Sequence, residues 1–141
     1  MQMKLTKNFT LNEMCRSNTA RLRGLPNVPN AEQIKNLQKL CENVLQPLRD
    51  YLGEAVVINS GFRSQAVNMA VGGAKNSQHV LGEAADIRCK DLAYAKRIYT
   101  WIMDNLEFDQ LILERKGRAV WVHVSFTTSR PNRQMVLQIE G

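Results

Sequence analysis

The chain has only two histidines, His79 and His123, and together with Asp86 they form a set of side chains that could bind one metal ion. His79 and Asp86 are seven positions apart, a spacing that does not match a helical ligand pair, whose members are three or four apart. A loop that turns at Gly82 into a strand could still bring both side chains to one point. Two imidazoles and one carboxylate suit catalytic zinc, which keeps a fourth position for water.

His123 lies in a strand-like run, WVHVS at 121–125. By the alternation of a strand it shares a face with Trp121 and Ser125, while the valines between them face the other way. Spacing alone leaves a second interpretation open. A histidine in the middle of a strand is often a hydrogen-bonded core or surface residue, and an aspartate beside a strand is often a cap or an ion-pair partner.

A long helix must form much of the core that supports these residues. Apolar residues recur at steps of three and four over 31–52, which predicts one helix with a buried face. Asn30 is its predicted N-cap and Gly53 its stop, and Pro47 should kink or restart it. We interpret the apolar stripe as core packing; a partner-binding groove is the alternative.

Shorter elements complete the predicted domain. Helices are predicted over about 10–17, 64–70 and 91–106, strands over 55–59, 84–88, 109–114, 119–126 and 134–139, an ordered connection over 21–30 and a four-residue hairpin loop over 115–118. This order predicts an α+β fold with a small, mostly antiparallel sheet flanked by helices, in a single domain over 1–141.

Composition narrows the class of protein. The 141 residues are 44% hydrophobic and 23% charged, which is typical of a globular domain. The sequence has no apolar run of membrane-spanning length and no secretory signal, so we expect cytoplasmic synthesis without a signal peptide. Three widely spaced cysteines argue against a disulfide framework and predict free, mostly buried thiols.

The net charge of +6 favours a negatively charged partner, for which nucleic acid and bacterial cell wall both qualify. Lysine and arginine are spread along the whole chain, so the charge alone favours a solvated basic surface over a specific partner. Nucleic-acid binding is disfavoured because the sequence lacks a basic helix and interleaved aromatic and basic residues.

Three motifs, in this order, resemble the peptidase M15 family of zinc D-Ala-D-Ala carboxypeptidases and related murein peptidases. They are SGFRS at 60–64, SQHVLGEAAD at 77–86 and WVHVS at 121–125. The resemblance is nearest to the small single-domain branch common in bacteriophages and bacteria, and it also includes 9–14, 108–112 and 132–133. It implies the zinc fold of hedgehog and D-Ala-D-Ala peptidases.

The resemblance also implies roles for individual residues. One zinc ion would be held by His79, Asp86 and His123, with water as the fourth ligand. Arg63, in the SGFRS turn, would be catalytic and would contact the substrate near the scissile bond. The neighbouring residues Ser77 and Gln78 either line the substrate cleft or orient the loop that carries the first histidine.

One position departs from the family pattern. Many members place the general base three residues before the last zinc histidine, where this chain has Val120. Glu114 is our candidate, because it ends the strand before the hairpin and some relatives supply their glutamate from there. Pairing Glu114 with Ala119 would place it on the face of His123 but four residues, or about 13 Å, away along the strand.

Two other carboxylates are less suitable as the base. Asp109 would face the opposite side of the sheet in that register. Glu83, between two of the predicted ligands, is predicted to point to solvent.

The resulting hypothesis is a zinc metallopeptidase that hydrolyses peptidoglycan stem peptides, either as a D-Ala-D-Ala carboxypeptidase or as a murein endopeptidase. The alternative is a catalytically silent zinc-binding module that recognises the cell wall. We expect a monomer whose partner is a peptidoglycan peptide, with no nucleic acid and no membrane. It would act on the wall after release, as an endolysin does, or as a phage or virion component.

Overall fold

Helices and strands follow one another closely along the chain in this computed structural model, which describes residues 3–141. The helices are α1 (Leu11–Cys15), α2 (Asn18–Arg23), α3 (Ala31–Leu40), α4 (Gln46–Leu52), α5 (Gln65–Ala70) and α6 (Leu92–Asn105), with a π-helical turn over Cys41–Leu45. The strands are β1 (Lys4–Thr6), β2 (Phe9–Thr10), β3 (Ile58–Ser60), β4 (Ala84–Arg88), β5 (Gln110–Lys116), β6 (Ala119–Ser125) and β7 (Met135–Glu140).

The main sheet has five strands in the order β3-β4-β6-β5-β7. Its first three neighbouring pairs are antiparallel, and β7 runs parallel to β5 at the edge. Strands β1 and β2 form a small separate antiparallel pair. The predicted α+β class with a mostly antiparallel sheet is therefore confirmed.

The two faces of the main sheet differ in chemistry because side chains alternate along each strand. One face is apolar and belongs to the hydrophobic core, with α6 packed against β5 and β6. Its central residues are Ala85, Ile87, Leu111, Leu113, Val122 and Val124. Full burial of one such aliphatic side chain contributes about 1.5–3 kcal/mol, so this face anchors the sheet and leaves the other face for polar groups.

The long predicted helix forms as α3, the π-helical turn and α4 in direct succession. Asn30 caps its start through a capping box, and Gly53 ends it in the left-handed conformation with φ of 68°. The π turn ends just before Gln46, one residue ahead of Pro47. The wider hydrogen-bond pattern of the π turn thus lies next to a proline, which has no backbone N–H to donate. This missing donor explains the irregularity that the sequence predicts in the helix.

Two predictions about connections are wrong. The segment 21–30 is not a connection throughout, because α2 extends to Arg23 and ends at the left-handed Gly24. The hairpin between β5 and β6 has a loop of two residues rather than four, since Lys116 pairs with Ala119. A positive φ at Gly117 permits this tight turn.

Two further observations concern predictions made from composition. The three cysteines are free thiols, with Cys41 and Cys89 buried and Cys15 half-buried, as predicted. Burial raises the pKa of Cys15 to about 11 and that of Cys89 to about 12. Across residues 3–141, no helix is both long and apolar enough to span a membrane.

Candidate metal site and its cavity

His79 lies in a tight turn that the backbone itself stabilises. The amides of Val80 and Leu81 donate to the carbonyls of Ser77 and Gln78, and the amide of Arg63 donates to the carbonyl of His79. The imidazole is buried, with 3% exposure, and its Nδ1 lies 2.7 Å from the carbonyl oxygen of Gly61. A carbonyl oxygen only accepts, so Nδ1 carries the proton and the lone pair of the neutral ring is at Nε2.

Gly82 ends this turn and directs the chain into β4, as the sequence predicted. Its φ is +77°, which side chains rarely tolerate, and a Cβ atom there would lie 2.5 Å from the carbonyl oxygen of Gln33. Helix α3 holds the same loop through side-chain amides, because Gln33 donates to the carbonyl of Val80 and Asn36 to that of Leu81. The position of His79 therefore depends on α3 as well as on the turn.

Asp86 and His123 lie directly opposite each other on the neighbouring strands β4 and β6. Directly opposed side chains in an antiparallel pair are about 5 Å apart at Cβ, so this register alone brings the two together. His123 Nδ1 is 2.9 Å from Asp86 Oδ1, and His79 Nε2 is 3.4 Å from the same oxygen. Asp86 is thus the common neighbour of both histidines.

The three side chains together have the chemistry of a cation site. Each offers a ligand atom, and these atoms all lie within 4.8 Å of one another. The two imidazole rings meet edge to face, with centroids 5.1 Å apart. Nε2 of His79 faces a carboxylate oxygen of Asp86, so either a proton or a cation can lie between these two atoms. The donor set of two nitrogens and one carboxylate fits zinc.

The carboxyl group of Asp86 titrates below its ordinary range. Burial raises the pKa of Asp86, but hydrogen bonds to His123 and His79 outweigh burial and lower it overall. The side chain is 14% exposed. Asp86 is therefore ionised at neutral pH and available as a ligand.

Arg63 supports Asp86 from the other side. Its Nη2 donates to Asp86 Oδ2 over 3.3 Å, its Nε to Ser60 Oγ over 3.0 Å and its Nη1 to Asn68 Oδ1 over 3.2 Å. Burial lowers the pKa of Arg63, while the nearby carboxylates of Asp86 and Glu114 oppose that effect. The guanidinium is held rigidly in the wall of the cavity that contains the two histidines.

Glu114 lies on the same sheet face as His123, although not in the predicted register. It pairs with Trp121 rather than with Ala119, so two residues of strand, about 7 Å, separate it from the level of His123 instead of four. Trp121 Nε1 donates to Glu114 Oε2 over 3.1 Å. The two-residue hairpin therefore brings Glu114 closer than the sequence predicted, without a bulge.

Val120 occupies the opposite face. It pairs with Arg115 on β5 and packs against the core. Val122 and Val124 face the same way and belong to the core. In this register, a carboxylate three residues before His123 would be directed into the hydrophobic core. Position 120 is therefore not placed to supply a base, whereas Glu114 on β5 lies on the metal side.

Ser77 and Gln78 both line the cavity and also take part in the turn that carries His79. Ser77 Oγ accepts from the amide of His79 over 3.2 Å, and Gln78 Nε2 donates to Glu83 Oε1 over 3.3 Å. Gln78 Oε1 is buried without a hydrogen-bond partner among residues 3–141. Both residues thus lie at the cavity wall and in the loop that carries His79, and contact with a substrate stays a prediction.

The predictions for the two remaining carboxylates have opposite outcomes. Glu83 does not point to solvent: it is 5% exposed and accepts from Thr127 Oγ1 over 2.9 Å, because the chain beyond β6 folds back over it. Asp109 does lie away from His123, as predicted, since it precedes β5 at a position that alternates with Gln110 and Ile112. It is completely buried and paired with Arg130 and Arg133.

The three side chains line a cavity of about 700 Å³ that extends along the sheet. Its floor is the polar face of β5 and β6, where Gln110, Ile112 and Glu114 alternate along β5. Arg130 and Arg133 line its far end, and sequence reasoning had given neither a role at the site. Their signals in the sequence were a pair of arginines around a Pro-Asn step in the loop after WVHVS and the family resemblance at 132–133. Neither signal reveals the direction of the two side chains.

The fold and the cavity define a class: an α+β domain with two histidines and an aspartate placed to hold a metal ion on one face of its sheet. The chain belongs to the peptidase M15 family, whose sequence profile it matches over residues 7–134. It is also 48% identical over 44 residues to a protein named zinc D-Ala-D-Ala carboxypeptidase, from Streptomyces albus G. That match covers 30% of this chain and 17% of the relative. Both findings support a zinc peptidase.

Proposed function

We propose that the protein is a zinc peptidase that hydrolyses peptidoglycan stem peptides, with one zinc ion held by His79, Asp86 and His123. The observation that carries this proposal is the convergence of these three ligand atoms within 4.8 Å, in the cavity of a peptidase M15 chain. Zinc bound there would lower the pKa of a water molecule toward neutrality and polarise the scissile carbonyl.

The protein contributes fixed charges on either side of that carbonyl. Arg63 is held by Ser60 and Asn68, so its guanidinium is oriented before substrate binds. We assign Arg63 the role of stabilising the negative charge that develops on the carbonyl oxygen. A preorganised donor in a partly buried position suits that role. Its bond to Asp86 also keeps that carboxylate oriented toward the histidines.

Glu114 is the proposed general base. It is half-buried on the sheet face of His123, and the indole N–H of Trp121 orients one of its oxygens. In this role the other oxygen takes a proton from the attacking water and delivers it to the leaving amine. No covalent intermediate is needed.

The first substrate to test is a peptide ending in D-Ala-D-Ala, because the Streptomyces relative carries that name. A net charge of +6 suits attraction to an anionic wall polymer. In this proposal the protein acts on the wall after release from the cell or as part of a virion.

The proposal is tested by metal removal and by Glu114→Gln. We expect a strong chelator to abolish release of D-Ala and stoichiometric zinc to restore it. Glu114→Gln should retain zinc and lose about 10²- to 10⁴-fold in kcat, the usual contribution of a general base. Full turnover by protein verified to be free of metal would refute the mechanism.

Glu140→Gln is the matched control, since Glu140 is an exposed carboxylate on the edge strand β7 and pairs only with Arg115 among residues 3–141. It should leave kcat unchanged. The same pair of variants addresses the alternative of a silent recognition module. A parent that binds zinc and murein without turnover, and whose binding Glu114→Gln does not alter, would support the module instead.

A further inference from the structure

The two arginines that line the far end of the cavity hold a buried carboxylate behind the cavity wall. Arg130 donates to both oxygens of Asp109, through Nη1 at 2.7 Å and Nη2 at 2.9 Å. Arg133 does the same through Nε at 3.1 Å and Nη2 at 2.9 Å, and its backbone amide adds a fifth bond at 3.0 Å. Asp109 is fully buried, so these contacts fix the direction of both side chains.

The two guanidinium groups keep N–H donors that do not bond to Asp109. They are 43% and 45% exposed, and both line the cavity. Within residues 3–141, the Nε of Arg130 and the Nη1 of Arg133 donate to no protein acceptor. One carboxylate neutralises only one of the two positive charges. Glu83 is the other nearby acid, but it forms no ion pair with either arginine in the described chain and is already bonded to Thr127.

A purely structural role would need only one of the two arginines. One arginine that binds both oxygens already satisfies a buried carboxylate and closes the loop after β6. The second arginine adds a positive charge at the cavity wall, with its orientation set in advance. A planar guanidinium with free N–H groups is suited to a second carboxylate, which it can bind through two parallel hydrogen bonds.

The sheet register gives the distance between this end and the proposed zinc site. Ile112 lies opposite His123, and Asp109 is three residues before Ile112. Three residues of strand span about 10 Å, on the side away from Glu114. An extended peptide lying on this floor would cover the same distance with about three residues.

We propose that Arg130 and Arg133 form an anion subsite that binds a carboxylate of the peptide substrate about three residues from the scissile bond. The inference rests on the proposed function. A carboxypeptidase has only one residue beyond the scissile bond, which is too short to span this distance. For carboxypeptidase action, the first reaction to be tested, the recognised carboxylate is therefore on the acyl side, and the substrate class is an acidic peptide.

The test uses two series of acyl peptides ending in D-Ala-D-Ala. One series carries a carboxylate side chain two, three or four residues before the scissile bond, and the other carries the neutral carboxamide at the same position. Wild-type protein should prefer the acidic peptide, most strongly at one position. Arg133→Gln should lower kcat/KM for that peptide about tenfold, as expected for loss of a charged hydrogen bond, and leave the amide peptide unchanged.

Arg115→Gln is the control, because Arg115 is an exposed arginine whose only ion pair in the described chain is with Glu140. It should affect neither series. Arg133→Lys should restore part of the preference, since it returns the charge without the planar fork. Equal losses on acidic and amide peptides, or no preference in the wild type, would overturn the subsite.

Binding of the same peptides, measured by calorimetry, separates this inference from the proposed reaction. If no peptide is cleaved but acidic peptides still bind more tightly in a manner that requires Arg133, the subsite stands and the peptidase assignment fails. If acidic and amide peptides are cleaved equally well, the peptidase assignment stands and the subsite fails. If none binds and none is cleaved, both fail.

Discussion

Two aspartates, the partly exposed Asp86 and the fully buried Asp109, differ in what surrounds them. Asp86 lies between two imidazoles and one arginine, whereas Asp109 lies between two arginines. Hydrogen bonds lower the pKa of both carboxyl groups. The same direction of shift thus arises in two settings that differ chemically.

The difference lies in the partners. An arginine is permanently charged and cannot bind a metal, so Asp109 has partners that it keeps at every physiological pH. A neutral imidazole offers a lone pair, and two imidazoles around a carboxylate leave room for a cation in place of a proton. A lowered aspartate pKa therefore does not mark a metal site by itself; the type of partner does.

Replacing Asp86 should have the largest effect on activity and zinc binding. Asp86→Asn removes the charged ligand, and we expect zinc affinity to fall by more than about 100-fold, beyond the loss typical of residues that only support a ligand. Hydrolysis of D-Ala-D-Ala peptides should fall with it. Metal analysis after dialysis and a peptide assay measure both quantities.

Asp104→Asn is the matched control, because Asp104 is exposed on α6. It should bind zinc and turn over like the wild type. Unchanged zinc content in Asp86→Asn would remove Asp86 from the ligand set and with it the contrast between the two aspartates.

Gly82→Ala should have a smaller effect, and it tests whether the Asp86 site depends on its loop. The left-handed conformation alone costs alanine about 1 kcal/mol, and the new methyl group would also press on the carbonyl of Gln33. We expect lower stability together with a fall in zinc affinity of about tenfold, because His79 precedes this turn.

Gly117→Ala is a control that separates the effect of backbone strain from the effect of moving the loop that carries His79. Gly117 has a φ of +59° in the hairpin, but nothing lies within 4 Å of its added Cβ. It should lose stability from strain and keep its zinc affinity. Equal zinc affinity in the two variants would show that the turn at Gly82 does not position the site.

The sequence predicted the residues of the site better than their geometry. His79 and Asp86 stand on either side of a glycine, and the turn expected there is present because only glycine accepts that φ beside α3. The approach of Asp86 to His123 depends on the register of β4 against β6, which no local pattern encodes. The hairpin loop was predicted too long, and that error overestimated the distance of Glu114.

Contacts between residues that are far apart in the sequence could not be predicted from local patterns. Glu83 is buried because Thr127, forty-four residues later, donates to it. The roles of Arg130 and Arg133 likewise depend on a loop that returns to Asp109, more than twenty residues away. Charge spread evenly along a sequence does not show where a fold will bring it together.

Asp109→Asn should have the smallest effect on zinc binding, since its effects are on stability and on the direction of the two arginines. The lowered pKa of Asp109 means that its carboxylate stabilises the fold above the unfolded pKa of about 3.9, and that this contribution is lost as pH falls through the lower folded value. For metal-free protein we expect Asp109→Asn to lower Tm by about 5 °C at any pH between 5 and 8, with the gap from wild type narrowing progressively as pH falls below about 4. Zinc affinity at neutral pH should be unchanged. The arginines stay half-exposed and can be hydrated, which keeps the loss moderate. A gap that is as wide at about pH 2 as at pH 7, or a loss of zinc as large as that of Asp86→Asn, would show that the two carboxylates do not have the separate roles assigned to them.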